Sequence, residues 1–382
     1  MKVLFAHNSI FQFANGLVYS SNIPQQVWHR YLVHFDKLVV VGRAIEVADD
    51  TIEISTADNV DFIKFPDVTL WEGVFKQYYF VNLAKKYISE SQVSAVIVRL
   101  PSQVGIYFLK AAVQLNLPVA VEVVGDIWNE LWYRKLLRTR LLAPYRFWQM
   151  REAVKKASHV IYVTEEYLQR IYPCKGERSF ASNVDIQVLK DKLISKSGVF
   201  QITTVGSLDF YYKGYDVVLK ALSLLKKQGI SDFMLNCAGD GTGEAIRELA
   251  KQYDLTDSIN ILGILTKKKL YTLLDNTDLY IQPSRTEGLP RALIEAMSRG
   301  CPALASTAGG IPELLDVAYL HKPGDYKKLA NDIKNLLLNE DLFIEMSRIN
   351  LCRAADYLPS VLEKRRHNFW ASFNASIKTK DH

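Results

Sequence analysis

Ten short runs rich in β-branched residues punctuate this chain, and helical periodicity separates one from the next. KVLFA, KLVVVG, SAVIVRL, PVAVEVV and HVIYVT occupy the first half; FQITTVG, FMLNCAG, INILG, LYIQPS and CPALAS occupy the second. A strand that returns through a helix lies parallel to its predecessor, because only a long crossover brings the chain back to the same end of a sheet. The alternation predicts an α/β fold with parallel sheets and helices on both faces. At 382 residues it predicts two doubly wound, Rossmann-like domains. The polar SKSG at 195–198 marks the boundary, giving an N-terminal domain over 1–196 and a second over 197–359. The remaining 360–382 reads as a helix with an aromatic face at Phe369, Trp370 and Phe373, expected to pack back on the first domain. Two such domains facing each other place a cleft at the carboxyl ends of both sheets, which is the expected active site.

Composition narrows the class. With 49% hydrophobic and 23% charged residues the chain is globular. Cys174, Cys237, Cys301 and Cys352 are widely spaced without a CxxC, so neither a zinc cluster nor a disulfide framework is signalled and a reducing, cytoplasmic setting is expected. MKVLFAHNSIF reads as an opening strand, and no run approaches the length of a membrane span. The net charge of +6 is concentrated in the first half, chiefly in WYRKLLRTRLLAPYRFWQMREAVKKA at 132–157. A solvated helix face is one reading of this segment. Nucleic acid is a weaker one, since no recognition module accompanies it. An anionic membrane surface fits the interleaving of cations with interfacial aromatics, and would be met by Trp132, Arg134, Lys135, Arg138, Arg140, Arg146 and Trp148. Pro144 is expected to split the stretch into two short helices, making a peripheral contact on the cytoplasmic face. Trp28, Trp71, Trp128, Trp132 and Trp148 all fall in the first 150 residues, where they serve either an acceptor groove or the core.

The chemistry concentrates in EGLPRALIEAM at 287–297. Gly288 and Pro290 read as a turn feeding a helix from about Leu289 to Arg299, which Gly300 stops. Glu287 then lies in the loop before the helix and Glu295 within it. Two carboxylates flanking a helix N-terminus leave its free N–H groups and positive dipole end between them, a place for phosphate. Taken singly, each glutamate reads more readily as a solvated surface charge, a reading that the whole segment weakens.

Together with GCPALASTAGGIPELL downstream and VGSLDFYYKGYDVVLKAL, AGDGTG, INILGIL and DLYIQPS upstream, this segment resembles the Glu-x7-Glu signature of retaining glycosyltransferases of family 4, which have the two-Rossmann GT-B architecture. The resemblance spans the second half; the first half matches in its opening strand, a loop at Gly16 and ASNVD near the junction. It implies that Glu287 holds hydroxyls of the donor sugar with backbone N–H groups of Gly288 and Leu289, and that Glu295 accepts from the ribose hydroxyls. Lys213 would pair with the diphosphate, Gly16 would let the first-domain backbone approach it, and the Ile264 backbone would meet the base. Ser207 stands where the family usually carries a phosphate-binding arginine, with Arg291 and Arg285 as candidates to compensate. Asp126, in VEVVGDIW, occupies the neighbourhood of a histidine in many relatives; it either takes the acceptor proton or caps a helix.

Departure of a nucleoside diphosphate requires a metal, cations or a helix terminus to stabilise the developing charge. The chain has no Asp-x-Asp and no histidine cluster, so Lys213 and the helix at 289–299 are expected to do this without a metal or other cofactor. The implied activity moves a hexose from a nucleotide sugar, UDP-linked, to a lipid-linked or other membrane-associated glycan in bacterial surface-polysaccharide assembly. Three other readings compete. A nucleotide-sugar 2-epimerase of the same fold would need cleft histidines. An oxidoreductase would read GDGTGE as a dinucleotide fingerprint, but Glu244 stands where glycine is required. A sugar- or lipid-binding protein without activity is the third.

Overall fold

The computed structural model describes residues 1–20, 23–45, 53–69, 71–133, 137–187, 189–190 and 198–379. The chain forms two compact units, one of Met1–Leu131, Leu136–Ala181 and Glu363–His382, the other of Trp132–Lys135 and Ser182–Leu362. Residues 195–197, at the boundary expected from sequence, lie outside the described residues.

The first unit contains β1 (Lys2–Ala14), β2 (Leu17–Tyr19), β3 (Lys37–Ile45), β4 (Val60–Phe65), β5 (Ala95–Leu100), β6 (Val119–Val123), β7 (His159–Tyr162) and β8 (Glu177–Phe180). They form a sheet in the order β4-β3-β1-β5-β6-β7-β8, parallel throughout, with β2 folded back antiparallel on β1. The second unit contains β9 (Phe200–Val205), β10 (Phe233–Ala238), β11 (Ile259–Gly263), β12 (Leu279–Gln282), β13 (Ala303–Ser306) and β14 (Leu320–His321). Its sheet is also parallel, in the order β11-β10-β9-β12-β13-β14. All ten runs read from the sequence are strands. The central ones read as unbroken apolar stretches because both faces are covered; every residue of β5 and of β12 is buried. Three of the strands not read from sequence, β4, β8 and β14, are sheet edges, where strands are short or carry charge.

The helix Pro359–Lys378 buries Phe369, Trp370 and Phe373. Trp370 packs on Tyr31 at 5.1 Å between ring centroids and Phe373 on Phe35 at 6.2 Å, all within the first unit. Pro144 does not divide its segment, contrary to the sequence expectation. One helix, Leu137–Val154, runs through it. Pro144 sits on the exposed side, where solvent serves the carbonyl that a proline leaves without a donor.

Candidate active site

Two loops at the carboxyl ends of adjacent strands build the site in the second unit. β9 leads through 206–214 into the helix Tyr215–Lys227, and β12 leads through 283–290 into the helix Arg291–Ser298. The loops are joined at several points. Gly214 has φ +77°, and a Cβ there would come 2.1 Å from the Pro283 carbonyl oxygen, so only glycine allows this approach. The Arg285 backbone N–H donates to the Tyr212 carbonyl at 2.7 Å. Its guanidinium makes a bidentate pair with Asp216, 2.8 Å to each carboxylate oxygen, and stacks 4.0 Å over the Tyr211 ring.

This junction delivers Lys213 to Glu287. The ammonium lies 2.8 Å from Glu287 Oε1, and both side chains are mostly shielded, 19% and 11% exposed. The same oxygen accepts from Ser284 Oγ at 2.7 Å and from Gln282 Nε2 at 3.1 Å, while Gln282 is itself oriented by the Tyr280 hydroxyl at 2.7 Å. All three bonds fall on Oε1; among the described residues Oε2 takes none. A third loop supports the backbone here. The Gly310 N–H donates to the Gly288 carbonyl at 2.7 Å, and a Cβ on Gly309 would come 2.0 Å from the Glu287 carbonyl oxygen. Gln282, Ser284 and Asp216 thus belong to the site although sequence reading passed over them. The Gly-Gly pair of AGGIPELL was the visible signal for the third loop.

The helix that follows begins at Arg291, with Pro290 at its cap position, a little later than the sequence suggests. No side chain caps it and its first turn holds no acid, so its leading N–H groups have no internal anion. Glu295 lies one turn in. Burial pushes its carboxyl above the usual range, against the opposing pull of Arg291 and Lys267. No donor among the described residues reaches this carboxylate. A largely buried, unserved carboxylate beside a helix N-terminus is suited to accept hydroxyl protons from a ligand that also carries phosphate.

The remaining expected residues separate. Ser207 offers only a hydroxyl, 3.4 Å from the Asp240 carbonyl. Arg285 does not replace the arginine missing there, because Asp216 holds both arms of its fork; Arg291, exposed at the helix start, is the candidate that stays available. Ile264 is 79% exposed just beyond Gly263, which ends β11 at φ +65°. The GDGTG loop is not a phosphate cradle. The Asp209 carboxylate fills it, accepting from the backbone N–H groups of Thr242 at 3.1 Å and Gly243 at 3.0 Å, and those bonds hold its carboxyl below the usual range.

In the first unit Asp126 is not placed as a base. Its carboxylate accepts from the Trp128 N–H at 3.0 Å, Asn129 Nδ2 at 2.7 Å, the Tyr167 hydroxyl at 3.4 Å and the Tyr172 hydroxyl at 2.5 Å, so it caps the helix Ile127–Trp132. Gly16 with Asn15 forms the two-residue β1–β2 turn; both have positive φ, 77° and 51°, as a type I′ hairpin needs, which explains the glycine without a ligand. Of the surface residues proposed from sequence, Arg134 and Lys135 lie outside the described residues. Arg138, Arg140, Trp132 and Trp148 are exposed. Arg146 is not: it is buried and donates to Gln149 Oε1 at 3.2 Å, so it cannot contact an external surface. Among the described residues no helix is long and apolar enough to cross a membrane, and no group of three or more His, Cys, Asp or Glu side chains is placed to hold a metal.

Known proteins resemble this chain along most of its length. The family described as Glycosyl transferases group 1 matches residues 185–350. Protein CapJ of Staphylococcus aureus is 33% identical over 346 residues, covering 89% of this chain and 87% of that protein. The amylovoran biosynthesis glycosyltransferase AmsK of Erwinia amylovora is 32% identical over 205 residues, 50% of this chain and 46% of that protein. Among solved structures, HepE of Anabaena in complex with UDP and glucose superposes with a TM-score of 0.63 at 16% identity, over 100% of this chain and 99% of that one.

Proposed function

Since the chain belongs to the group 1 glycosyltransferases and has their two-unit GT-B fold, we propose that it is a retaining, metal-independent enzyme of family 4. In this reading it moves a hexose from a UDP-linked sugar to a lipid-linked or other membrane-associated glycan during assembly of a bacterial surface polysaccharide. The second unit binds the donor and the first the acceptor. The observation that carries the reading is the joined pair Lys213–Glu287 beside an unserved Glu295. The donor chemistry of HepE, whose structure holds UDP and glucose, and the named role of AmsK support it.

Each part of a nucleoside diphosphate sugar finds a complement. Glu287 Oε2 accepts a sugar hydroxyl while Oε1 stays fixed by Lys213, Ser284 and Gln282. Lys213, with two ammonium protons left after its bond to Glu287, donates to the diphosphate, aided by the N–H groups opening the helix Arg291–Ser298 and by Arg291. Glu295 accepts from the ribose. As the bond from the anomeric carbon to the phosphate oxygen breaks, the leaving diphosphate gains charge where these cations and dipoles already point. With Asp126 committed to its helix, the departing phosphate oxygen takes the acceptor proton in the same-face mechanism. No side chain here serves as a nucleophile.

The membrane part of the reading rests on the helix Leu137–Val154. Leu137 and Leu141 are 71% and 68% exposed and Trp148 60%, at a helical spacing flanked by Arg138 and Arg140. Thermal-shift screening of nucleotide sugars, followed by assay of donor hydrolysis, tests the enzymatic reading. Stabilisation by UDP sugars with slow release of UDP is expected; stabilisation by none of them would overturn the donor assignment. Flotation with anionic liposomes tests the membrane reading, which fails if binding at physiological salt is absent or indifferent to Arg138→Gln/Arg140→Gln.

A further inference from the structure

β12 carries polar side chains that a central strand does not need. Tyr280 and Gln282 project to one face of it, and Ser284 continues the line into the loop. The three are 0%, 1% and 0% exposed. A strand covered on both faces ordinarily buries apolar side chains there, because a buried polar group costs free energy unless its bonds are met. The line also stands where the sheet parts. Pairing of β12 with β9 ends at Tyr280 and Thr203, and the strand order reverses there, since β9 leads to β10 on its other side. Doubly wound sheets bind ligands at such switch points.

The direction of each bond in the line follows from its end. Paired with Lys213, the Glu287 carboxylate only accepts, so the part of Gln282 facing it at 3.1 Å is the NH2 group and the amide carbonyl faces back to Tyr280. Gln282 Nε2 also donates to Ser284 Oγ at 2.9 Å, and the Ser284 hydroxyl donates to Glu287 Oε1 at 2.7 Å. At the far end the Tyr280 hydroxyl donates to Gln282 Oε1 at 2.7 Å. Burial, with Tyr215, Glu295 and Glu287 nearby, holds this phenol well above its ordinary range, so it stays a donor. Without that donor the amide carbonyl would be buried unpaired, and a turned amide would set its oxygen against the carboxylate.

We infer that Tyr280 is a positioning residue for the donor sugar: through Gln282 and Ser284 it keeps Glu287 Oε1 occupied, so that Oε2, held at one angle, chooses among the sugar hydroxyls. The inference rests on the transferase reading above and adds to it a residue that touches no ligand and a role in telling hexose epimers apart. A carboxylate free to swing meets an axial or an equatorial hydroxyl alike. One held by Lys213, Ser284 and Gln282 favours one of them.

Hydrolysis of UDP-glucose and UDP-galactose, and of their N-acetylamino counterparts, tests it in the unaltered protein, Tyr280→Phe, Gln282→Met and the double variant. Tyr280→Phe should lower kcat for the preferred epimer, and its preference over the other in kcat/KM, each by about threefold to tenfold, the worth of one net hydrogen bond. UDP affinity should not change. In the Gln282→Met background the same substitution should cost nothing further, because the line is already cut. Unchanged kcat and preference in Tyr280→Phe, or effects of the two substitutions that simply add, overturns the inference and leaves the transferase reading standing. So does a loss of UDP affinity as large as the loss of kcat, which would make Tyr280 a support of the whole site. If Gln282→Met does not fold, NMR of the Gln282 side-chain amide decides in its place: its protons should exchange with solvent faster in Tyr280→Phe, and equal exchange would count against the inference. Hydrolysis of none of these sugars by the unaltered protein removes the transferase reading and the inference with it.

Discussion

Two helices in the second unit start beside glycine-bearing loops, and their N-termini are treated in opposite ways. The turn entering the helix Glu244–Gln252 has its N–H groups, those of Thr242 and Gly243, taken by Asp209, whose carboxyl is held below the usual range, and the helix itself opens on an acid, Glu244. The helix Arg291–Ser298 has no capping side chain, a cation at its first position and, one turn later, a carboxylate pushed above the usual range by burial. The first arrangement is complete in itself. The second is electrostatically unfinished, and in the function proposed above an anionic ligand with hydroxyl groups completes it. Gly-rich sequence thus does not distinguish a binding loop from a structural one; what occupies the N–H groups does.

The largest expected effect lies at the open helix. Lys213→Ala should lower turnover of donor hydrolysis by about 10²–10³-fold, the usual loss when a donor aimed at developing charge is removed, and Glu287→Ala, which removes the sugar contact and the partner that holds Lys213, should lower it to a similar extent. Glu287→Ala should leave free UDP affinity nearly unchanged, and the reverse pattern would place Glu287 away from the sugar. Arg285→Gln comes next. It unties the loop carrying Lys213 and should reduce turnover roughly tenfold through misplacement, more than it alters UDP affinity.

Stability should then move in opposite directions at the two helices. Asp209→Ala should lower Tm with UDP affinity unchanged within about twofold. Because the folded-state carboxyl of Asp209 lies below its unfolded value, its stabilisation is present above the unfolded pKa and fades as pH falls through the folded one. Glu295 has the opposite sign. Its raised carboxyl binds more protons in the folded than in the unfolded state, so its contribution to stability declines as pH rises through that window. Glu295→Gln should raise the Tm of the ligand-free protein at neutral pH, and the gain should shrink on acidification. Thermal denaturation of both variants across pH checks this pair, the smallest of the effects.

Much of the second unit could be read from sequence because its site is built locally, each functional residue sitting where a strand, a loop and a helix succeed one another. Glu287, Glu295 and Lys213 lie in such segments. Asp216 escaped notice because its partner, Arg285, comes from the other loop, which spacing along one chain does not reveal, and Gln282 because it reads as the end of a buried strand although its amide turns to Glu287. The first unit was less legible. Its central strands were clear from their apolar runs, but Asp126 and Arg146 are charged residues whose packing, with Tyr172 and Gln149 respectively, decides what they do.

The central claim is that the open end of the helix Arg291–Ser298 receives a uridine diphosphate with Glu295 on its ribose. Calorimetric titration of UDP into the unaltered protein and Glu295→Gln tests it most directly. UDP should bind the unaltered protein, and Glu295→Gln should weaken that binding by about tenfold or more, the range for losing charge-assisted hydrogen bonds. Equal UDP affinity in the two proteins, in a variant that is otherwise folded and more heat-stable, would contradict the account.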